Sequence, residues 1–401
     1  MMHSRDQNKK PSLLVSLIPL LIIVLLLIIG YGIFRIGAEV LLVISAFLTG
    51  LLARLSGFSW DLMQKGIVRS ITKALPAMLI VIAVGILIGS WIISGTIPML
   101  IYYGLKMISP RFFLLSACLG CSIISVFTGT SWGTVGTVGI AFIGVAEGLN
   151  IPLPQAAGAI ISGAYFGDKL SPFSDTTNLA PIAAGSNLFD HIKHMLWTTV
   201  PAWLIGLTIY LFLGLVFYSG KQVFLPVELL SGLKENFAFN ILLLLPPLIV
   251  LYFAVRKLPT IPGMLISSFT AVILAIIFQQ VNLVEALTAL THGYQSQTGL
   301  IGLDRLLSRG GMMSMMGVTL IAFCAFGFAG IMQSTGMLDR ILSSLARFTR
   351  TTGLLIASTV LSCISVALMT GSSFLSIIIP GELFSPEYKA RKLAAKNLSR
   401  T

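Results

Sequence analysis

The chain reads as an all-α polytopic membrane protein of about ten or eleven helical elements, at roughly 20 residues per span. Three observations predict that class. Apolar residues fill 56% of the 401 positions and charged residues only 10%, a balance that soluble domains do not reach. Uncharged apolar runs recur from end to end, starting at Leu13–Ile29. The excess of 26 Lys and Arg over 14 Asp and Glu lies in short loops and near the C-terminus. There it fixes membrane orientation rather than gripping nucleic acid.

Arg5, Lys9 and Lys10 precede Leu13–Ile29 as in a secretory leader, but no small-residue cleavage site follows and further spans do. A retained first helix in a multi-pass protein of the cytoplasmic membrane, with its N-terminus in the cytoplasm, is expected. Ile36–Ala53 is the second span, reached through a turn at Gly30–Arg35. From Trp60 to Lys73, apolar residues recur at three- and four-residue spacing between Lys65, Arg69 and Lys73, which predicts a helix lying on the membrane surface. Pro76–Ile93 is a span with Gly85 and Gly89 at close-packing spacing. Ser94–Pro98 interrupts it, and a shorter apolar piece reaches Met107.

Phe112–Phe127 leads into a Gly- and Thr-rich run from Thr128 to Gly139, Ile140–Leu149 completes that element, and Asn150–Pro154 breaks it. Ala156–Tyr165 is too short to span. It runs into Gly167-Asp-Lys and then Ser171-Pro-Phe-Ser-Asp-Thr-Thr-Asn178, the pattern of a discontinuous transporter helix. Met195–Phe217 is a span and Lys221–Phe237 a polar connection. Phe239–Val255 and Pro262–Phe278 are spans divided by Arg256 and Lys257. Asp304, Arg305 and Arg309 mark an interfacial segment before the span Met313–Met332. Arg340, Arg347 and Arg350 lie in an amphipathic connection. Gly353–Pro380 is the last apolar region before a basic tail. Cys118, Cys121, Cys324 and Cys363 all fall in apolar segments and read as structural thiols.

Two regions echo each other. Ile92-Ile-Ser-Gly-Thr96 followed by Ser122–Ser131 resembles Ile331-Met-Gln-Ser-Thr-Gly336 followed by Ser362–Ser373, with Thr-Gly-[Thr/Ser]-Ser at matching distance. Two inverted-type repeats are therefore expected. The domain organisation is N-terminal helices over 1–60, a first repeat with the polar motif over 61–220, and a second repeat over 221–401. By that spacing the second polar motif falls just past Thr401, so the second repeat is expected to be cut short. Unequal repeats, with nothing missing, are the alternative.

The polar stretch carries the chemistry. Asp168 and Asp175 are the only acidic residues between Asn150 and Asn187. A carboxylate at membrane depth is costly unless a cation or a proton neutralises it. Sodium takes several hard oxygen ligands, and Ser171, Ser174, Thr176, Thr177 and Asn178 supply them beside Asp175. Thr130, Ser131 and Thr134 bring further hydroxyls from the Gly/Thr run. Gly167 and Pro172 favour irregular backbone, which frees carbonyls. In a desolvated pocket a carboxylate holds its proton at higher pH, so proton and cation compete for one group. The structural alternatives are an Asp168–Lys169 ion pair at the membrane edge and Asp175 as a helix N-cap. For Thr130, Ser131 and Thr134 the alternative is simple helix packing. Asp190-His-Ile-Lys-His194 has metal-like spacing but reads as a solvated helix end, and Glu39 and Glu147, near their span ends, are expected to face the interface. Gln333 interrupts an apolar span and is expected to face a cavity. No Walker motif, nucleophile elbow or zinc motif is present, which argues against a pump driven by ATP and against an enzyme.

At G-T-S-W-G-T-V-G and G-A-Y-F-G-D-K-L-S-P-F-S-D-T-T-N-L-A-P, the sequence resembles the NhaC family of sodium/proton antiporters, over nearly the whole chain. That superfamily includes sodium-linked malate/lactate and tyrosine antiporters. T-G-S-S-F-L-S-I-I-I-P-G and the terminal K-N-L-S-R are similar to the family's second-half motif and its lead-in. The resemblance implies sodium/proton antiport within the lipid bilayer, with sodium ions and protons as transported species and no cofactor. Two readings stay open beside it: coupled movement of a small organic acid or amino acid, and an inactive shortened membrane protein. Homo-oligomerisation also stays open.

Overall fold

The computed structural model describes residues 11–172, 174–218, 227–256, 258–345, 351–370 and 373–401, and among them every regular element is helical. In chain order, α1 (Leu13–Leu25) continues through a π-wound segment to Ile33. It is followed by α2 (Ala38–Leu55), α3 (Trp60–Ile93), α4 (Thr96–Met107) and α5 (Pro110–Thr128). Next come α6 (Ser131–Thr134), a π-wound piece (Val135–Gly139), α7 (Ile140–Gly148), α8 (Leu153–Leu170) and α9 (Asp175–Ala184). Then α10 (Leu188–Tyr218), α11 (Val227–Asn236), α12 (Leu245–Val255), α13 (Thr260–Gln279), α14 (Leu283–His292) and α15 (Ile301–Leu307). The last are α16 (Met316–Ser334), α17 (Met337–Leu345), α18 (Thr352–Thr370), α19 (Ser373–Ala390) and α20 (Ala395–Arg400).

Seven helices among the described residues are long and apolar enough to cross a membrane, or eight if the pair Glu228–Asn236 and Ile241–Val255, bent by 102°, is one span. The expected polytopic, all-helical architecture holds. The shortfall from ten or eleven comes from short pieces such as α4 and α7, which are helical but not span-length.

Four boundaries differ from expectation. The surface helix at Trp60–Lys73 and the span at Pro76–Ile93 are one 34-residue helix. At about 1.5 Å per residue it is roughly 50 Å long, more than the ~30 Å hydrocarbon core needs. Nothing between Lys73 and Pro76 breaks it, because a membrane helix tolerates an internal proline when neighbouring groups satisfy the freed carbonyl. α8 starts at Leu153, with Pro152 just ahead of it, and keeps Gly167, Asp168 and Lys169 helical, so the irregular backbone begins only at Ser171. The expected polar connection before Phe237 contains the helix α11. α14 had no counterpart in the pattern reading; Asn282 caps it by accepting from the Glu285 amide at 2.8 Å.

The chain divides into two compact units, each discontinuous in sequence. One is Met1–Met78, Leu179–His191 and Gly317–Thr401; the other is Leu79–Asn178 and Ile192–Met316. The first is built around Met63, Phe328, Met332 and Met337. In it, Gly66 and Gly330 let α3 and α16 touch backbone to backbone. The second is built around Leu87, Trp91, Phe113, Leu114 and Ile160. Gly85 and Gly89 behave there as their spacing predicts: the Gly311 amide donates to Gly85 O at 2.7 Å, and Ala289 O abuts Gly89. Cys118 and Cys121 are buried and Cys324 and Cys363 half-buried, all four as thiols rather than disulfides.

Candidate cation-binding site

The polar stretch folds as two broken helices whose ends meet within one unit. α5 ends at Gly129, which takes a left-handed φ of 68° and closes the last turn by donating to Ser125 O at 2.8 Å. Thr130 is extended, and α6 restarts at Ser131. The second break opens at Ser171, which follows α8 in extended conformation, and α9 begins at Asp175.

α5 and α8 pack closely and in the same direction. Gly163 lies against the Cys118 backbone, and Gly167, one turn on, lies against Ser122, Ser125 and Val126. A methyl at Gly167 would stand 2.6 Å from Ser125 Cβ, so only glycine fits. Ser125 ties the pair together by donating its hydroxyl to Ala164 O at 2.6 Å, and lies 3.5 Å from Thr130 O. Trp203 stacks on Phe166 at 4.3 Å and donates to Ser122 Oγ at 3.0 Å, bracing α8 and α5 from outside. The C-terminal turns of both helices are therefore adjacent. Each such end carries outward carbonyls and the equivalent of roughly half a negative charge, so the corner attracts a cation before any side chain is counted.

Side chains then close the two breaks. At the first, Thr130 caps α6 by accepting from the Gly133 amide at 3.2 Å. Thr134 donates to Thr130 O at 2.9 Å and sits 3.3 Å from the Thr128 hydroxyl. Thr137 donates to Gly133 O at 2.7 Å, in the π-wound piece where the helix ladder is loosened. Ser131 and Thr134 are buried. At the second break, Thr177 donates to the carbonyls of Asp168 and Lys169, both at 3.0 Å. Asn178 Nδ2 donates to Pro172 O at 2.9 Å and Ser174 O at 2.7 Å. Ser174 accepts from the Thr177 amide (3.4 Å) at the start of α9, and it contacts the Thr176 hydroxyl at 3.0 Å. Asp168, Ser171, Ser174 and Thr177 are all buried. The Asp175 side chain lies outside the described residues.

The hydroxyls of Thr134, Thr137 and Thr177 thus spend their protons on carbonyls and keep their lone pairs for an acceptor role, which suits oxygen ligation of a hard cation. Thr130 Oγ1 is engaged by its cap of α6. Thr137 joins the site from the Gly/Thr run, and Ser125 and Thr128 join it although the sequence reading did not single them out as ligands. Their signal was the three-residue spacing Ser122, Ser125, Thr128 on an otherwise apolar helix.

Beside the first break lies a cavity of about 240 Å³ lined by Thr128, Thr130, Thr137 and Thr260 and otherwise by Gly133 and apolar groups such as Trp91, Leu251 and Phe253, with no Lys, Arg or His among the described residues. Of the weaker sequence candidates, Glu147 pairs with Arg309 at 2.5 Å, and His191 is buried with Nδ1 3.0 Å from Ser399 Oγ. Among the described residues no cluster of metal-ligating side chains occurs.

A family model described as the Na+/H+ antiporter family matches residues 163–401. A Haemophilus influenzae protein described as an uncharacterized Na+/H+ antiporter is 44% identical across 100% of this chain and 87% of its own. The Na+/H+ antiporter NhaC of Alkalihalophilus pseudofirmus is 36% identical across 98% and 85%. The malate-2H+/Na+-lactate antiporter of Bacillus subtilis is 38% identical across 90% and 78%.

Proposed function

The chain belongs to the Na+/H+ antiporter family, and from that premise we propose that it exchanges sodium for protons across the cytoplasmic membrane, at the corner where α5 and α8 end. It is a multi-pass membrane protein. The observation that carries the reading is the adjacency of the two helix C-termini, with buried Asp168 in the last turn of α8. Two helix ends, freed carbonyls and the Thr134 and Thr177 hydroxyls form an oxygen-rich, cation-attracting surface. Asp168, with Asp175 beside it in sequence, holds either sodium or a proton. Because one carboxylate cannot hold both, loading one species releases the other, and the exchange is coupled.

An organic anion as additional cargo would want a cationic group at its carboxylate. Among the described residues that line the cavity next to the corner there is none, which favours plain cation exchange over the malate/lactate type.

The test is proton flux in proteoliposomes under an imposed pH gradient, followed with a pH-sensitive dye. Sodium alone is expected to dissipate the gradient in the native chain and not in Asp168→Asn of equal thermal stability. Sodium-driven flux that survives in Asp168→Asn overturns the assignment of Asp168. Flux that appears only with malate, lactate or tyrosine overturns plain antiport.

A further inference from the structure

Within the unit holding Met1–Met78 and Gly317–Thr401 lies a cavity of about 620 Å³ that the cation site does not use. One wall is α3. Lys65, Arg69 and Lys73, at four-residue steps and so on one face, all line it. Lys65 is bound to Asp61 at 2.6 Å; Arg69 and Lys73 have no ion pair among the described residues. The other wall is the corner between α16 and α17, with Gln333, Ser334, Thr335, Gly336 and Asp339. Two donors at this corner are orphaned: the buried Nε2 of Gln333 and Nε of Arg340 have no hydrogen-bond partner. Buried donors left unmatched cost about 1–3 kcal/mol each, so native structures rarely keep them without a ligand to accept.

We infer that this cavity is a binding site for a phosphate-bearing anion, held by Arg69 and Lys73 on α3 and by the Gln333 amide in the last turn of α16. The first turn of α17 adds its amide groups at the same corner, where a helix favours negative charge. Among the described residues Asp339 is the one carboxylate in the lining. It faces Lys65, Arg69 and Lys73 across the cavity and Arg340 on its own helix, and burial raises its carboxyl above the ordinary value, which lessens its opposition to an anion. The cationic steps of α3 lie just ahead of its apolar run, the level at which a phospholipid headgroup sits. A lipid headgroup and free phosphate present the same chemistry, and the experiment separates them.

The full chain is purified in detergent and studied by native mass spectrometry and thermal unfolding, with added phosphatidylglycerol, phosphatidylcholine or inorganic phosphate. The comparison is with Arg69→Gln/Lys73→Gln, with Gln333→Leu, and with the charge-matched control Lys234→Gln/Arg305→Gln. The expected result is a retained phosphatidylglycerol adduct and a higher unfolding temperature in the native chain and the control. Both are expected to fall at least about tenfold in affinity in the cavity variants, with phosphatidylcholine weaker throughout. Stabilisation by inorganic phosphate alone, lost in the same variants, assigns the site to a soluble anion. Equal retention in cavity and control variants, or no effect of any anion on the native chain, overturns the proposal. Sodium-dependent flux is independent of this readout, since neither variant touches Asp168.

Discussion

The corner between α3 and α4 and the corner between α16 and α17 are built from matching sequence and have opposite fates. Ile92-Ile-Ser-Gly-Thr96 and Ile331-Met-Gln-Ser-Thr-Gly336 both end a long helix, turn on a glycine of positive φ (86° at Gly95, 68° at Gly336) and start a short one. In the first corner every polar group is covered. Gln279 donates to Ser94 O at 2.9 Å, Ser94 and Thr96 share a 2.9 Å hydroxyl contact, and Thr96 donates to Leu243 O at 3.0 Å. In the second, Ser334 and Thr335 turn back onto Ile331 O, Gln333 has a bare amide, and a cavity stands open. The local sequence decides the turn. What covers the turn is decided by residues far away in the chain.

Substitutions should separate the two corners, and the largest contrast is at the glycines. Gly95→Ala places a methyl 2.6 Å from Gln279 Nε2. It should cost about 1–2 kcal/mol for the left-handed backbone plus about 1 kcal/mol for the displaced hydrogen bond. Gly336→Ala meets only Pro11 Cδ at 4.0 Å and should cost the backbone share alone. Midpoints of SDS-induced unfolding in micelles give both numbers, and equal costs would break the comparison. Next in size is a pair of polar deletions. Thr96→Val strands Leu243 O and should destabilise by about 1–3 kcal/mol, whereas Gln333→Leu removes an unmatched donor and should be neutral or stabilising in lipid-free detergent.

Smaller effects come from pH. Burial raises the Asp339 carboxyl, so the folded chain binds its proton more tightly than the unfolded chain does. The stability this group withholds near neutral pH is therefore regained as pH falls through the raised value. Asp339→Asn should be at least as stable as the native chain at pH 7 and lose that advantage in acid, as thermal scans across pH would read. Asp304 has the opposite sign. Thr298, Ser296 and Gly299 donate to its carboxylate, led by the Thr298 amide at 2.7 Å, and hold it below its ordinary value. The closure of this loop should persist above the ordinary carboxylate range and fade as pH drops through the depressed value. Amide exchange at Thr298 and Gly299 should quicken there, and Asp304→Ala should exchange fast at all pH.

The periodicities and breakers in the chain made much of this readable. Apolar runs named the spans, and Pro172 within the polar run named the break after α8 at the candidate site, whereas Gly167 stays helical and the left-handed stop at Gly129 was not foreseen. The expected surface helix and its span merged because continuous helical backbone through Pro76 depends on neighbours, not on the local pattern. The partners that finish each site are separated by long stretches: Ser125 and Ala164, Glu147 and Arg309, Ser94 and Gln279. No local pattern encodes such pairings. The π-wound turn at Val135–Gly139 was equally hidden, since Gly-Thr runs are compatible with several windings.

The glycine seam between α5 and α8 also has a mechanical consequence. Backbones in contact over successive turns and pointing the same way cannot slide without lifting over one another. The two helix ends therefore travel as a single rod. Any tilt that turns the corner from one side of the bilayer to the other must swing both helix ends together, with the flexure taken up beyond them, from Thr130 and from Ser171 onward.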